Sequence, residues 1–188
     1  DNVFFQKGNE GKKMNECGKS VQRRLHDPKF LTMYFVGKGI DIGGAPDPLR
    51  AYRTLFPLMQ QVDIWDKAQG DSQAMQGIAD DTYDFAHSSH CLEHMRDPTE
   101  ALENWFRIIR PGGHLIVLIP DEDMYEQGVW PSPFNPDHKF TFTLYKKRSW
   151  SPQSLNVLDL LTSLPATAEV KQVQKLDGTY RYIDKRVD

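Results

Sequence analysis

The stretch GKGIDIGGAPDPL, residues 37 to 49, limits the fold more than any other part of the chain. A short apolar run carrying an acid (Gly39, Ile40, Asp41, Ile42) passes into a turn of small residues and prolines (Gly43, Gly44, Ala45, Pro46) that leads toward a helix. Strand, tight turn and helix in that order belong to open α/β sheets. There the turn lies at the carboxyl end of a strand and lets a nucleotide-like ligand approach the backbone. A cofactor site is expected at this turn.

The rest of the composition suits one globular domain over residues 1 to 188, with 39% hydrophobic and 26% charged residues, neither disordered nor membrane-like. A net charge of −3 advertises neither nucleic acid nor an anionic membrane as partner. Cys17 and Cys91 lie too far apart and in settings too dissimilar for a disulfide framework, which fits a reducing, cytoplasmic location. No apolar run approaches the ~20 residues of a membrane span, and no signal peptide is visible. The chain begins at Asp1 rather than Met, so its natural N-terminus is expected to be missing.

Residues 1 to 19 are polar with no helical or strand period and read as a flexible or peripherally docked lead-in. Asp27-Pro28 reads as an N-cap with proline at the first helical position, followed by Phe30, Leu31, Tyr34 and Phe35 at helical spacing. The first strand is expected over 38 to 42, a helix from Pro48 to Leu55 that Pro57 stops, and a second strand over 61 to 66. An acid about 20 residues past a glycine turn takes ribose hydroxyls in dinucleotide-type sites. Asp63 and Asp66 both fall in that window, and Asp66 is preferred because it ends the strand. The segment Gly70 to Met75 follows too soon for a full helix, so the crossover is abbreviated. An Asp in such a loop, here Asp71, can accept a hydrogen bond from an exocyclic amine.

Residues 80 to 97 form the second informative block, DDTYDFAHSSHCLEHMRD. Tyr83 to Ser89 read as a buried strand whose carboxyl end delivers His90, Cys91, Glu93 and His94 to the side where ligands bind. His87, inside the strand, reads as structural. Asp97-Pro98-Thr99-Glu100 resembles a capping box opening a helix with Leu102, Trp105, Phe106 and Ile109 on one face. Pro111-Gly112-Gly113 is expected to end that helix, and Leu115 to Ile119 to form a strand buried on both faces. Residues 121 to 150, with three prolines and seven aromatics, read as a lid or substrate wall. Ser151-Pro152 is expected to cap a helix bearing Leu155, Leu158 and Leu161. Residues 169 to 175 and 180 to 184 flank Asp177-Gly178 as an antiparallel hairpin. The fold class is therefore α/β: a Rossmann-like open twisted sheet, mostly parallel with an antiparallel C-terminal hairpin, with helices on both faces.

The succession DIGGAPDPL, VDIWD, GDSQ and YDFAHSSHCLEHMRDPTEALENWFRIIRPGGHLIVLIP resembles the class I S-adenosylmethionine-dependent methyltransferases, in particular the small-molecule group whose fourth strand leads into a Leu-Glu-His segment. The resemblance covers residues 37 to 120. It implies S-adenosyl-L-methionine as cofactor and S-adenosyl-L-homocysteine as product. Asp41, Gly43 and Gly44 would take the methionine end, Asp66 the ribose, and Asp71 with Ser72 the adenine. Ser89 and His90 would line the methionine and methyl side. It also implies a small-molecule or sugar acceptor, with a hydroxyl as target, of the kind met in bacterial surface-glycan or secondary-metabolite pathways. The Asn/Asp-Pro-Pro-Tyr/Phe segment of nucleic-acid amino-methyltransferases is replaced by Ser88-Ser89-His90-Cys91, so no nucleic acid is expected.

Methyl transfer from a sulfonium needs chiefly positioning, worth roughly 7–11 kcal/mol in favourable cases. A hydroxyl acceptor gains a further ~10²- to 10⁴-fold from a general base. His94 is the candidate base, His90 shapes the methyl pocket, and His138 and Trp130 are candidate acceptor contacts from the lid. The family's Gly-x-Gly-x-Gly turn is here Gly43-Gly44-Ala45-Pro46-Asp47, and its final strand follows a longer tail. A non-catalytic cofactor-binding or partner-interaction domain of the same fold is therefore the alternative. A nicotinamide enzyme lacks its Gly-x-Gly-x-x-Gly here. A metal hydrolase built on His90, Glu93, His94 and Asp97 lacks an assignable third ligand, so no metal is expected.

Overall fold

The computed structural model describes residues 16–178. Its main sheet has four parallel strands: β1 (Gly37–Ile42), β2 (Met59–Trp65), β3 (Tyr83–Ser89) and β4 (Ile109–Leu118), in the spatial order β2-β1-β3-β4. This is a Rossmann-like sheet. Connections from β1 leave in opposite directions, so the crevice for a ligand lies outside the carboxyl ends of β1 and β3.

Alternation along the strands supplies two apolar faces. On one, α1 (Glu16–Arg24), the π-helical turn Phe30–Tyr34 and the 3₁₀ helix Leu49–Leu55 pack Val21, Phe35, Leu49 and Phe56 against Val62 and Phe85. On the other, α2 (Pro98–Arg107) packs Leu102, Trp105 and Ile108 against Ile40, Ile42 and Ala86. The start of α2 is fixed by Asp97, whose carboxylate accepts from Thr99 N (2.9 Å) and Glu100 N (3.1 Å) with Pro98 at the first position. Such a cap contributes about 0.5–2 kcal/mol. No helix intervenes between β2 and β3; residues 66 to 82 turn back directly.

Several expectations are corrected. The helix α1 begins inside the anticipated lead-in and is firmly docked through buried Cys17, Ser20 and Val21; residues 1–15 of that lead-in lie outside the described residues. The segment after β1 is a 3₁₀ rather than an α-helix. The strand at 115–119 is not buried on both faces: β4 is an edge of the described sheet, and Leu115 to Leu118 are half-buried. The helix before it ends at Arg107, and Pro111, Gly112 and Gly113 instead form a bulge where pairing jumps from Ile109 opposite Tyr83 to His114 opposite Phe85.

Beyond β4 a second, two-stranded sheet joins β5 (Thr141–Thr143) to β6 (Ser154–Asn156), and these run parallel. The helix expected at Ser151 starts later, as α3 (Val157–Thr162), because Leu155 is committed to pairing with Phe142. Asn156 caps it by accepting from Leu158 N at 2.9 Å. Leu160 is the residue it buries, while Leu158 is exposed. The antiparallel hairpin is not formed by the described residues. Residues 169–175 carry no strand, with Val170 and Val173 exposed and unable to repay extended ordering; the second arm, 180–184, lies outside the described residues.

Candidate functional site

The glycine turn leaves β1 with Gly43 at φ +72° and its N–H donated to Trp65 O at 2.8 Å. A Cβ at Gly43 would fall 2.7 Å from Cys91 Sγ, and one at Gly44 2.5 Å from Asp41 Oδ2. Both glycines thus let the turn lie flat on neighbouring side chains. Asp41 is buried, and its two oxygens are engaged: Oδ2 accepts from Leu49 N (2.6 Å) and Oδ1 faces His87 Nδ1 (2.6 Å). It therefore holds the turn and the start of the following helix in place.

The two acids on β2 have different surroundings. Asp63 lies within the strand, bonded to Gln61 (2.6 Å) and Tyr83 (3.0 Å) and near Lys38 Nζ (3.5 Å). Burial alone would raise its pKa, but these donors and the ammonium hold it below the usual carboxylate range. Asp66 stands at the tip, half-buried, accepting from Ala45 N (3.1 Å) and Lys67 N (2.7 Å), so it ties the end of β2 to the glycine turn. Its remaining lone pairs stay available. In the next loop Asp71 pairs with Arg96 at 2.6 Å, which lowers its pKa, and Ser72 O accepts the indole N–H of Trp105 at 2.7 Å.

Three buried side-chain groups at the carboxyl ends of β2 and β3, Trp65 Nε1, Ser88 Oγ and Ser89 Oγ, have no hydrogen-bond partner among the described residues. Trp65 and Ser88 both pair with Ile42, so their side chains flank the exit of β1, and Ser89 follows on the opposite face of β3. Unsatisfied buried donors are uncommon and call for an explanation. A polar ligand at the carboxyl ends of these strands would satisfy them.

Past β3 the chain turns sharply. His90 adopts φ +54°, and its N–H reaches Leu118 O at 2.9 Å. A left-handed non-glycine residue at a strand tip stores strain of about 1–3 kcal/mol, which is characteristic of functional positions. The single 3₁₀ turn Leu92–His94 follows, so His90 and His94 do not share an α-helical face. His90 Nδ1 comes within 3.4 Å of the fully buried Glu93, while His94 Nδ1 lies 3.1 Å from Asp137 O.

Residues 121–143 pack onto this turn. Lys139 N donates to Glu93 O at 2.8 Å, and His94 and His138 meet ring to ring with centroids 4.9 Å apart. His138 is buried, its Nδ1 2.8 Å from Glu126 Oε1 and its Nε2 3.8 Å from Glu93 Oε1, with Tyr125 stacked on it at 5.0 Å. The segment is organised by buried Glu122, which receives Lys146 Nζ (3.0 Å), Ser149 Oγ (2.7 Å) and Ser154 Oγ (2.5 Å). Trp130 is half-buried in the same segment, while Phe134 and Tyr145 are exposed.

The structure thus brings His90, His94 and His138 together and gathers Gly43, Gly44, Asp66 and Ser89 at the crevice. Glu93 entered the sequence reading as one of the polar residues delivered at the end of β3 and as a hydrolase ligand, and Glu126 did not enter it. Glu126 has no local signal, because its partner His138 is remote in the chain. Burial also pushes the Cys91 thiol up to about 12, with Glu93 and Asp66 adding to the effect, so it is no nucleophile.

A family profile described as "Methyltransferase domain" matches residues 19–157. No curated protein sequence matches the chain significantly. Among solved structures, a candidate methyltransferase of Bacillus halodurans C-125 is 16% identical with a TM-score of 0.43, covering 55% of this chain and 46% of its own. A candidate methyltransferase in complex with the Haloferax volcanii Trm112 methyltransferase activator is 18% identical, TM-score 0.42, covering 57% of this chain and 53% of its own. A SAM-dependent methyltransferase of Thermotoga maritima, described as a possible histamine N-methyltransferase, is 20% identical, TM-score 0.39, covering 65% and 70%. The chain spans about half the length of the first two structures.

Proposed function

We propose that this chain, which belongs to the methyltransferase-domain family, binds S-adenosyl-L-methionine at the carboxyl edge of its sheet and moves the methyl group to a hydroxyl of a small-molecule or sugar acceptor. The observation that carries this reading is the glycine turn at the switch between β1 and β3, with the unpartnered buried polar groups of Trp65 and Ser88 beside the exit of β1 and that of Ser89 at the end of β3. Asp41 fixes the turn from behind. Gly43 and Gly44 leave its backbone open to the methionine end, Asp66 takes the ribose, and the Asp71–Ser72 loop takes the adenine. The cofactor supplies an electrophilic methyl group.

On the acceptor side, His94 turns Nδ1 toward Asp137 O, an acceptor, and the neutral ring then has its lone pair on Nε2. That tautomer can take the acceptor's proton. His90 borders the methyl pocket, and His138 with Trp130 walls the acceptor. The two cysteines are free and buried, in keeping with a reducing cytoplasm.

The test is calorimetric titration with S-adenosylhomocysteine, S-adenosylmethionine and NAD. Micromolar binding of the adenosyl ligands, no NAD binding, and at least about tenfold weaker binding by Asp66→Ala are expected; tenfold corresponds to about 1.4 kcal/mol, within the range for a hydrogen bond to a charged group. Well-folded protein that binds neither adenosyl ligand would favour the non-catalytic alternative.

A further inference from the structure

The turn after β3 places one carboxylate in the interior among histidines. Glu93 is fully buried, and neither carboxylate oxygen has a hydrogen-bond partner among the described residues. The nearest cationic candidates to Oε1 are His90 Nδ1 at 3.4 Å and His138 Nε2 at 3.8 Å. Buried carboxylates are paired or coordinate metals, and His90 and His138 both approach the same oxygen, which makes Glu93 a candidate ligand for a cation.

The two histidines beside it are already oriented as ligands. His138 gives its Nδ1 side to the Glu126 carboxylate at 2.8 Å, and His94 gives its Nδ1 side to the Asp137 carbonyl at 3.1 Å. With Nδ1 so engaged, His138 turns Nε2 toward Glu93 Oε1, and in the neutral form of each ring Nε2 is the nitrogen free to ligate. A second acceptor that fixes the far nitrogen is what metal-ligating histidines characteristically have. One donor atom each from Glu93, His94 and His138 lie within 4.8 Å of one another. Bonds of ~2.0–2.2 Å to a common ion would draw them about 1 Å closer, a movement within reach of side-chain rotation.

We infer that Glu93, His94 and His138 form a site for a divalent transition-metal cation, with Glu126 as the positioning residue behind His138. Two imidazoles and one carboxylate suit zinc, manganese, iron(II) or cobalt(II) better than calcium or magnesium, which prefer oxygen ligands throughout. Three protein ligands leave a position open for an oxygen of a bound molecule. Lys139, whose Nζ binds the His94 carbonyl, is the nearby positive charge against which the cation must compete. The use of the open position to acidify an acceptor hydroxyl rests on the function proposed above; cation binding does not. With a cation in place His94 is a ligand and no longer the base.

The full chain, stripped with a chelator, is titrated with zinc chloride by calorimetry and with cobalt(II) chloride by visible absorption, and S-adenosylhomocysteine binding is measured on the same samples. One equivalent of metal, cobalt bands of a low-coordinate nitrogen and oxygen site, and affinity falling more than tenfold in both Glu93→Gln and His94→Gln are expected. Glu126→Gln should weaken binding by about 10- to 100-fold, the usual effect of losing an outer-shell partner. His94→Gln alters a partly exposed side chain and serves if Glu93→Gln does not fold. Well-folded wild type that takes up no metal, or uptake unchanged in the folded variants, overturns the site. Metal uptake without S-adenosylhomocysteine binding upholds the site while removing the methyl-transfer reading. Ligand binding without metal uptake does the reverse.

Discussion

His87 Nδ1 lies 2.6 Å from Asp41 Oδ1 across the paired centre of β1 and β3, and Arg24 from α1 approaches the opposite ring nitrogen at 2.8 Å. Arg24 can only donate, so Nε2 accepts and Nδ1 carries the proton toward Asp41. The imidazole is therefore neutral. Burial lowers the His87 pKa first of all; Arg24 lowers it further, and Asp41 opposes both. Burial also brings Arg24 down to about 10, still protonated at neutral pH.

A pH dependence of stability follows from this relay. His87 binds its proton less readily folded than unfolded, so its contribution is complete above the unfolded value of about 6.5 and is lost as pH falls from there toward the lower folded value. Urea midpoints measured at stepwise pH should be level near pH 7–8 and decline below about 6.5. His87→Gln should flatten part of that decline. His114, also lowered by burial, keeps the remainder. An identical slope in the variant would remove His87 as a source.

The parts of this molecule legible in the sequence are those encoded by neighbours along the chain. The strands at 37–42 and 83–89 showed as apolar runs, and the Asp97 cap lies within three residues of the amides it binds. Contacts between remote residues had no such signature. Asp41 with His87 and Glu126 with His138 are paired only once the sheet and the 121–143 segment are in place. The helix α1 was missed because its buried face rests on Cys17, Ser20 and Val21, too few apolar residues to show a period. At Ser151 local capping chemistry was outweighed by strand pairing of Leu155, and Asn156 took the cap.

Gly43 should be intolerant of a side chain for two separable reasons. Its φ of +72° costs an L-residue about 1–2 kcal/mol, and the added Cβ would press on Cys91 Sγ at 2.7 Å. Overpacking of that kind typically adds about 1–3 kcal/mol. Gly43→Ala is expected to lower unfolding free energy by about 2–4 kcal/mol by chemical denaturation. In a double-mutant cycle, Cys91→Gly, which removes both Sγ and the Cβ that lies 2.8 Å from the added methyl, should recover the packing part and leave the backbone part. Simple additivity of the two substitutions would mean that Cys91 is not what the glycine accommodates.

Gln73 is the residue by which the Asp71–Ser72 loop is fastened to α2. It is buried, its Oε1 accepts both Arg96 N (2.9 Å) and Asp97 N (3.0 Å), and its amide donates to Glu100. The side chain thus satisfies two backbone donors just before the helix and grips the first turn. Gln73→Ala would orphan those donors at about 1–3 kcal/mol each if they stay dry, and a loss near 2 kcal/mol is expected once water reaches one of them. Amide exchange at Arg96 and Asp97 should accelerate relative to the centre of α2. Because Asp71 and Ser72 move with Gln73, S-adenosylhomocysteine affinity should fall as well, although Gln73 itself is bonded to protein rather than aimed at the crevice. Lost stability with unchanged affinity would separate the loop from the cofactor site, and unchanged exchange at both amides would contradict the fastening role.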